Sequence, residues 1–111
     1  MAYSEEVAQK LRQALAQVWT GSVVEKKMFG GMCILLRGNM ACGILGDELI
    51  IRVGPDRHAQ AMARPGTKVF DFSGKPMRGW VMVTPPGYQA PGDLEGWVRM
   101  GVEFCATLPA K

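Results

Sequence analysis

Lys27-Met28-Phe29-Gly30-Gly31 marks the point where this sequence changes period, and the stretches on either side of it decide the fold. Before it, Val7, Leu11, Ala14, Leu15 and Val18 recur at three and four residues, with Gln9, Lys10, Arg12, Gln13 and Gln17 between them. That spacing predicts one amphipathic helix packing on something flat. Ser4 is placed to cap it, Glu5 and Glu6 put negative charge in its first turn, where the helix dipole favours it, and Thr20-Gly21-Ser22 ends it. From Val23 to Phe29, Met32 to Arg37, Met40 to Leu45 and Glu48 to Val53 the signals are those of short strands. Gly38-Asn39 and Gly46-Asp47 are two-residue separators of the kind that close tight hairpins. Gly30-Gly31 reads as a bend or bulge between strands, because glycine adopts backbone conformations that a Cβ forbids. The same freedom would let a phosphate approach, as in an anion nest.

Downstream, Leu49, Ile51 and Val53 share one strand face, with Ile50 and Arg52 on the other. Gly54-Pro55-Asp56 opens a short helix, Arg57 to Ala63, whose expected buried side is Ala59, Met62 and Ala63, and Arg64-Pro65-Gly66 stops it. Two more strands are predicted, Lys68 to Phe72 and Gly79 to Thr84, joined by Ser73-Gly74-Lys75-Pro76-Met77. Asp93 is placed to cap a last helix in which Leu94, Trp97, Val98, Gly101, Phe104, Cys105 and Leu108 repeat at helical spacing until Pro109. The order is helix, four strands, helix, two strands, helix. It predicts an α+β fold with one mostly antiparallel sheet and helices packed on one face, in a single domain spanning 1–111.

The composition agrees with one compact core: 111 residues, 48% of them hydrophobic. Thirteen Lys and Arg against ten Asp and Glu leave a net charge of +3, too mild for electrostatic nucleic-acid binding by charge alone. The N-terminus lacks the basic start and apolar stretch of a signal peptide, and no apolar run approaches membrane-spanning length, so a cytoplasmic protein is expected.

Four pieces in order carry a resemblance: Lys27-Met28-Phe29-Gly30-Gly31, Gly46-Asp47-Glu48-Leu49, the stretch Phe70-Asp71-Phe72-Ser73-Gly74-Lys75-Pro76-Met77-Arg78-Gly79-Trp80, and Leu94-x-x-Trp97-Val98. Together they resemble the TfoX/Sxy N-terminal domain family from about Ser4 to Pro109, with Met28, Phe29, Gly30, Gly31, Gly79, Trp80 and Trp97 as the motif positions. The resemblance implies a fold similar to secretion-chaperone-like and YjbR-like domains, often dimeric. The family's named members are regulators of natural competence in which a second, helical domain follows; this chain, ending at Lys111, is expected to be a standalone version of the first domain without the second.

No motif has a spacing that demands catalysis, a metal or a cofactor. Cys33, Cys42 and Cys105 are odd in number, without metal-like spacing, and lie among apolar neighbours, which reads as buried, reduced thiols. His58, the one histidine, has no cysteine or serine partner in sequence and reads as exposed rather than as a general base. Glu5-Glu6 and Asp47-Glu48 are explained by a helix start and a hairpin turn, which leaves Asp71, between Phe70 and Phe72, on the solvated face of its strand. Ser73-Gly74-Lys75-Pro76 lacks the glycine and the hydroxyl residue of a phosphate-binding loop and fits a hairpin tip. If Arg52, Arg57, His58 and Arg78 converged they would make a small anion site, and Lys27 is a further candidate contact to an anion or a partner.

Three readings follow. The favoured one is a non-enzymatic interaction or regulatory module with a protein partner or a second copy of itself. It rests on a second sheet face, carrying Cys33, Leu35, Leu45 and Ile50, that is more apolar than open water favours, and on methionines such as Met28, Met32, Met40, Met77 and Met82 that suit an adaptable surface. The second is a regulator that binds DNA or RNA weakly, which salt-dependent binding would reveal. The third is a small enzyme of unknown reaction, with Cys33, Cys42, His58 or Asp71 as working groups.

Overall fold

The computed structural model describes residues 3–28, 30–70, 77–90 and 92–110. The first helix, α1 (Glu5–Val18), begins as its sequence dictates: the Ser4 hydroxyl accepts the Val7 N–H at 3.3 Å, with Glu5 and Glu6 in the first turn. Ala8, Leu11, Ala14 and Leu15 are buried, and Val7 and Val18 pack at the margin of the core.

Four strands follow in hairpin order: β1 (Val24–Met28), β2 (Gly31–Leu36), β3 (Asn39–Leu45) and β4 (Glu48–Arg52). Next come a 3-10 turn at Pro55–Arg57, α2 (His58–Met62), β5 (Thr67–Val69) and β6 (Trp80–Val83), and after a second 3-10 turn the chain ends in α3 (Asp93–Cys105). The six strands form one sheet in the order β1-β2-β3-β4-β6-β5, every neighbouring pair antiparallel. The α+β class and the element order are those the periodicity predicted.

α1 and α3 pack against each other and over one face of the sheet. That face supplies Met32, Ile34, Leu36, Ile44, Leu49, Ile51, Val81 and Val83 to the main core. Trp97 of α3 is fully buried there, its indole N–H donating to the Gly87 carbonyl at 3.0 Å and the Arg64 guanidinium lying 3.9 Å from its ring centroid.

Several local expectations are corrected. The turn between β2 and β3 is Arg37-Gly38, both left-handed (φ 53° and 84°), not Gly38-Asn39. Asn39 belongs to the strand because its buried amide donates to the Pro109 carbonyl at 2.9 Å. The predicted bend at the paired glycines is a turn at Gly30, φ 77°, followed by strand. Gly31 must be glycine for another reason, since a Cβ there would run into the Ile44 carbonyl oxygen of β3. The irregularity in the β2–β3 register lies at Ile34/Leu35.

The short second helix buries Ala61, while Ala59 and Ala63 are exposed. His58 and Met62 are half-buried beside Ala61, a stripe at i, i+3 and i+4, so the expected helical spacing holds but its phase was misplaced. Asp93 is the first residue of α3 and not its cap; Gly92, φ 84°, occupies that position, and Asp93 contributes charge to the first turn. α3 stops at Cys105, so Leu108 lies beyond it, and Val102 is a core residue that the spacing argument omitted.

The largest correction concerns the second sheet face. Ile50 is buried with Phe70 and Met82, and Met40, Leu45, Met77 and Trp80 pack around them. The chain therefore covers the middle of this face with its own residues. Cys33 is buried as well, while Leu35 and Leu45 are half-buried.

Candidate functional site

Two regions carry the residues singled out in the sequence. The first lies where β4 leaves the sheet. Arg52 ends β4 with its guanidinium 5.1 Å from the centroid of Trp80 and 5.3 Å from that of Phe104, and its Nη1 reaches the Met40 carbonyl at 3.5 Å. The Gly54 N–H donates to the Gly79 carbonyl at 3.0 Å, which draws the turn carrying Arg78 against the start of the 3-10 segment. Beside these residues a cleft of about 330 Å³ is lined by Val53, Gly54, Pro55, Asp56, Arg57, Glu103, Phe104 and Thr107.

Arg52, Arg57 and the Arg78 turn thus come to one end of the sheet. Their charges are not equally available. Arg57 is bonded to Glu103 at 2.8 Å, and Arg52 is held between two rings, whereas Arg78 is exposed. Arg37, which the sequence reading did not single out, donates to the Leu108 and Cys105 carbonyls at 2.5 and 3.3 Å and so neutralises the end of α3 where its dipole is negative. Glu103 and Phe104 were also missed as site residues; their helical spacing reads equally well as a solvated face and a core stripe.

His58 is half-buried, not exposed, because the short helix it opens lies against β5 and β6. Its Nε2 is buried and makes no hydrogen bond among the described residues. It does not line the cleft. All three cysteines are buried, and burial raises each thiol pKa, that of Cys42 to about 12. A thiol so held is not a thiolate at neutral pH and is a poor nucleophile. Asp71, Phe72, Ser73, Gly74, Lys75 and Pro76 lie outside the described residues, as does Phe29 of the motif. Among the described residues no group of three or more His, Cys, Asp or Glu is placed to hold a metal ion, and no helix is long and apolar enough to cross a membrane.

The second region is β1, at the edge of the sheet, where Lys27 stands. All five of its residues are exposed, Val24 at 50% and Met28 at 38%, and Val23 just before it is 41% exposed. Register with β2 puts Val24, Lys26 and Met28 on the face of Cys33 and Leu35, and Glu25 and Lys27 on the helix face. There Arg12 of α1 grips Glu25 by two bonds of 2.8 and 3.0 Å and also bonds Glu5 at 2.9 Å, so the guanidinium is held still more firmly in its charged form. The signal for an edge strand was present in Val23-Val24-Glu25-Lys26-Lys27, whose adjacent charges do not alternate as a half-buried strand requires.

An antiparallel six-stranded sheet with helices on one face, an open charged-and-apolar edge and buried thiols defines an α+β domain. The family model of the TfoX N-terminal domain matches residues 13–105, and the chain belongs to that family. No curated protein and no solved structure matches it.

Proposed function

We propose that this TfoX-type domain is a protein-interaction module that works through the β1 edge of its sheet and performs no bond-making chemistry of its own. The observation that carries the reading is the exposure of the whole of β1. An edge strand offers a row of backbone N–H and C=O groups without a sheet neighbour, and proteins use such rows to add a partner's strand. Val24 and Met28 beside half-buried Leu35 give that strand an apolar strip to cover, and Lys26 and Lys27 keep it soluble when unoccupied. A regulatory role would follow from which partner occupies the edge.

The disposition of positive charge supports a protein partner over nucleic acid. Lys10, Arg12, Arg57, Lys68 and Arg99 are each paired with a carboxylate, and Arg37 and Arg52 are turned onto carbonyls and rings. Phosphate contacts would have to displace those partners.

A photo-reactive amino acid placed at Lys26 in the living cell tests this, with Gln60, exposed on α2, as the control position. Protein adducts at Lys26 and none at Gln60 are expected. Adducts equal at the two positions, or nucleic acid as the species captured at Lys26, would sink the reading.

A further inference from the structure

We infer that the occupant of the β1 edge is a second copy of this chain, paired antiparallel with β1 about a two-fold axis through Lys26, so that two six-stranded sheets become one. The inference rests on the reading of β1 as the interaction edge and adds who docks there.

The register of the β1–β2 hairpin decides which backbone groups face outward. Met28 pairs with Gly31 across a two-residue connection, and the closing pair of such a hairpin is hydrogen-bonded. Hydrogen-bonded pairs alternate along an antiparallel ladder, so Val24, Lys26 and Met28 turn their backbone groups to β2, while Glu25 and Lys27 turn theirs out of the sheet. Two copies joining by these groups place Glu25 of each opposite Lys27 of the other, exchanging both N–H···O bonds at each of the two symmetry-related pairs.

In this register the side chains are self-complementary. Glu25 meets the second copy's Lys27 twice, opposite charges directly across a ladder and on the helix face, where Arg12 already fixes the Glu25 carboxylate. Val24 meets the second copy's Met28 twice on the other face, and this removes from water the most exposed apolar side chains of the strand. A slip of one residue sets apolar Val24 opposite Lys27 and reverses the face of one sheet. A slip of two sets Glu25 against Glu25 or Lys27 against Lys27 at the axis. The one defect of the chosen register is Lys26 against Lys26, whose long stems can diverge into solvent. The opposite edge, β5, has only three residues and no comparable charge pattern.

Cysteine cross-linking with oxidised glutathione as the electron acceptor reads this register. At the axis two residues 26 form a non-hydrogen-bonded pair with Cα atoms about 4.5 Å apart, within disulfide reach. Lys26→Cys is expected to give a covalent dimer, each new disulfide releasing two reduced glutathiones, whereas Glu25→Cys and Lys27→Cys stay uncross-linked because each faces the other's native residue. Cys33 stands opposite residue 26 across the β1–β2 ladder on the same face, within disulfide reach, so all of these variants are made in a Cys33→Ala background; Cys42 and Cys105 are buried and do not compete. Light scattering should show the unmodified chain as a dimer, and Lys26→Thr should tighten it up to about fivefold by removing the like-charge pair.

A monomer at all concentrations, with no cross-link at any of the three positions, overturns the self-pairing. So does a dimer that cross-links through residue 25 or 27, or that forms without cross-linking through 26. In each of these cases the photo-reactive probe at Lys26 still reports separately on whether β1 is an interaction edge at all.

Discussion

Arg37 shows how much one side chain can settle. It holds a left-handed conformation that ordinarily favours glycine, and its guanidinium ties the β2–β3 turn to the Cys105 carbonyl at the end of α3 and to the Leu108 carbonyl just beyond it, at 3.3 and 2.5 Å. Nothing in the local sequence announces that contact. The buried thiols were legible, because Cys33, Cys42 and Cys105 sit in apolar runs, but the size of the effect on Cys42 is tertiary: complete burial deprives its thiolate of water, and Cys105 and Cys33 lie close enough to add charge repulsion. The consequence is a pH dependence with a definite sign. The native chain keeps the Cys42 proton up to about pH 12, while the unfolded chain releases it near the ordinary value of 9.0. The unfolded state then binds fewer protons, so this contribution to stability is complete below pH 9.0 and declines as pH rises toward 12. Urea unfolding at pH 8.5 and 10.5 should differ by roughly 1–2 kcal/mol more in the native sequence than in Cys42→Ala. Parallel declines in the two would show that the thiol is not held in its protonated form.

α3 tests packing against propensity within one element. Its sequence carries Gly96 and Gly101, and a helix interior disfavours both by comparable amounts. The structure separates them. A Cβ on Gly96 meets nothing within 4 Å, whereas a Cβ on Gly101 would stand 2.6 Å from the Ala41 carbonyl oxygen of β3. Gly96→Ala should therefore stabilise the fold by about 0.5–1 kcal/mol, and Gly101→Ala should destabilise it by about 1–3 kcal/mol despite its better propensity. Thermal melts of the two variants check this, and shifts in the same direction would mean that α3 does not seat on β3 as described. The element was readable from its repeat of apolar residues, but its start was not, because a left-handed Gly92 replaces the side-chain cap that Asp93 suggested. α2 was misread in phase: in a helix of five residues the spacing of alanines fits either face, and only its seat against β5 and β6 selects Ala61 over Ala59 and Ala63.

Across the whole molecule the sheet order predicts where the backbone opens most readily. β3 and β4 lie in the middle of the sheet and under α3, while β5 is a three-residue edge. Hydrogen exchange should be slowest in β3 and β4 and faster in β5 by roughly 100-fold or more. Amides of β5 as slow as those of β3 would contradict the order. The outward amides of Glu25 and Lys27 belong to a different category, since the pairing inferred above makes their protection rise with protein concentration.

By itself the sequence determined the conformational alphabet of this protein: a helix, four strands joined by tight turns, a short helix, two strands and a last helix, with the glycine-rich motif at the change of period. Those are local properties, written in apolar periodicity and turn residues, and they sufficed for the α+β class, while the motif pieces carried the family resemblance. Only the tertiary structure decided which sheet surface stays open. The second face looked vacant in sequence because alternation shows that a residue points away from the helices, not what lies above it, and Phe70, Met77 and Trp80 arrive there from 20 to 30 residues beyond Ile50. β1 could be suspected as an edge from its run of charges, but an edge exists only once β6 has paired with β4 and β5 has closed the other side. Strand adjacency depends on long-range pairing and on the covering of faces, and neither is encoded in the period of any one segment.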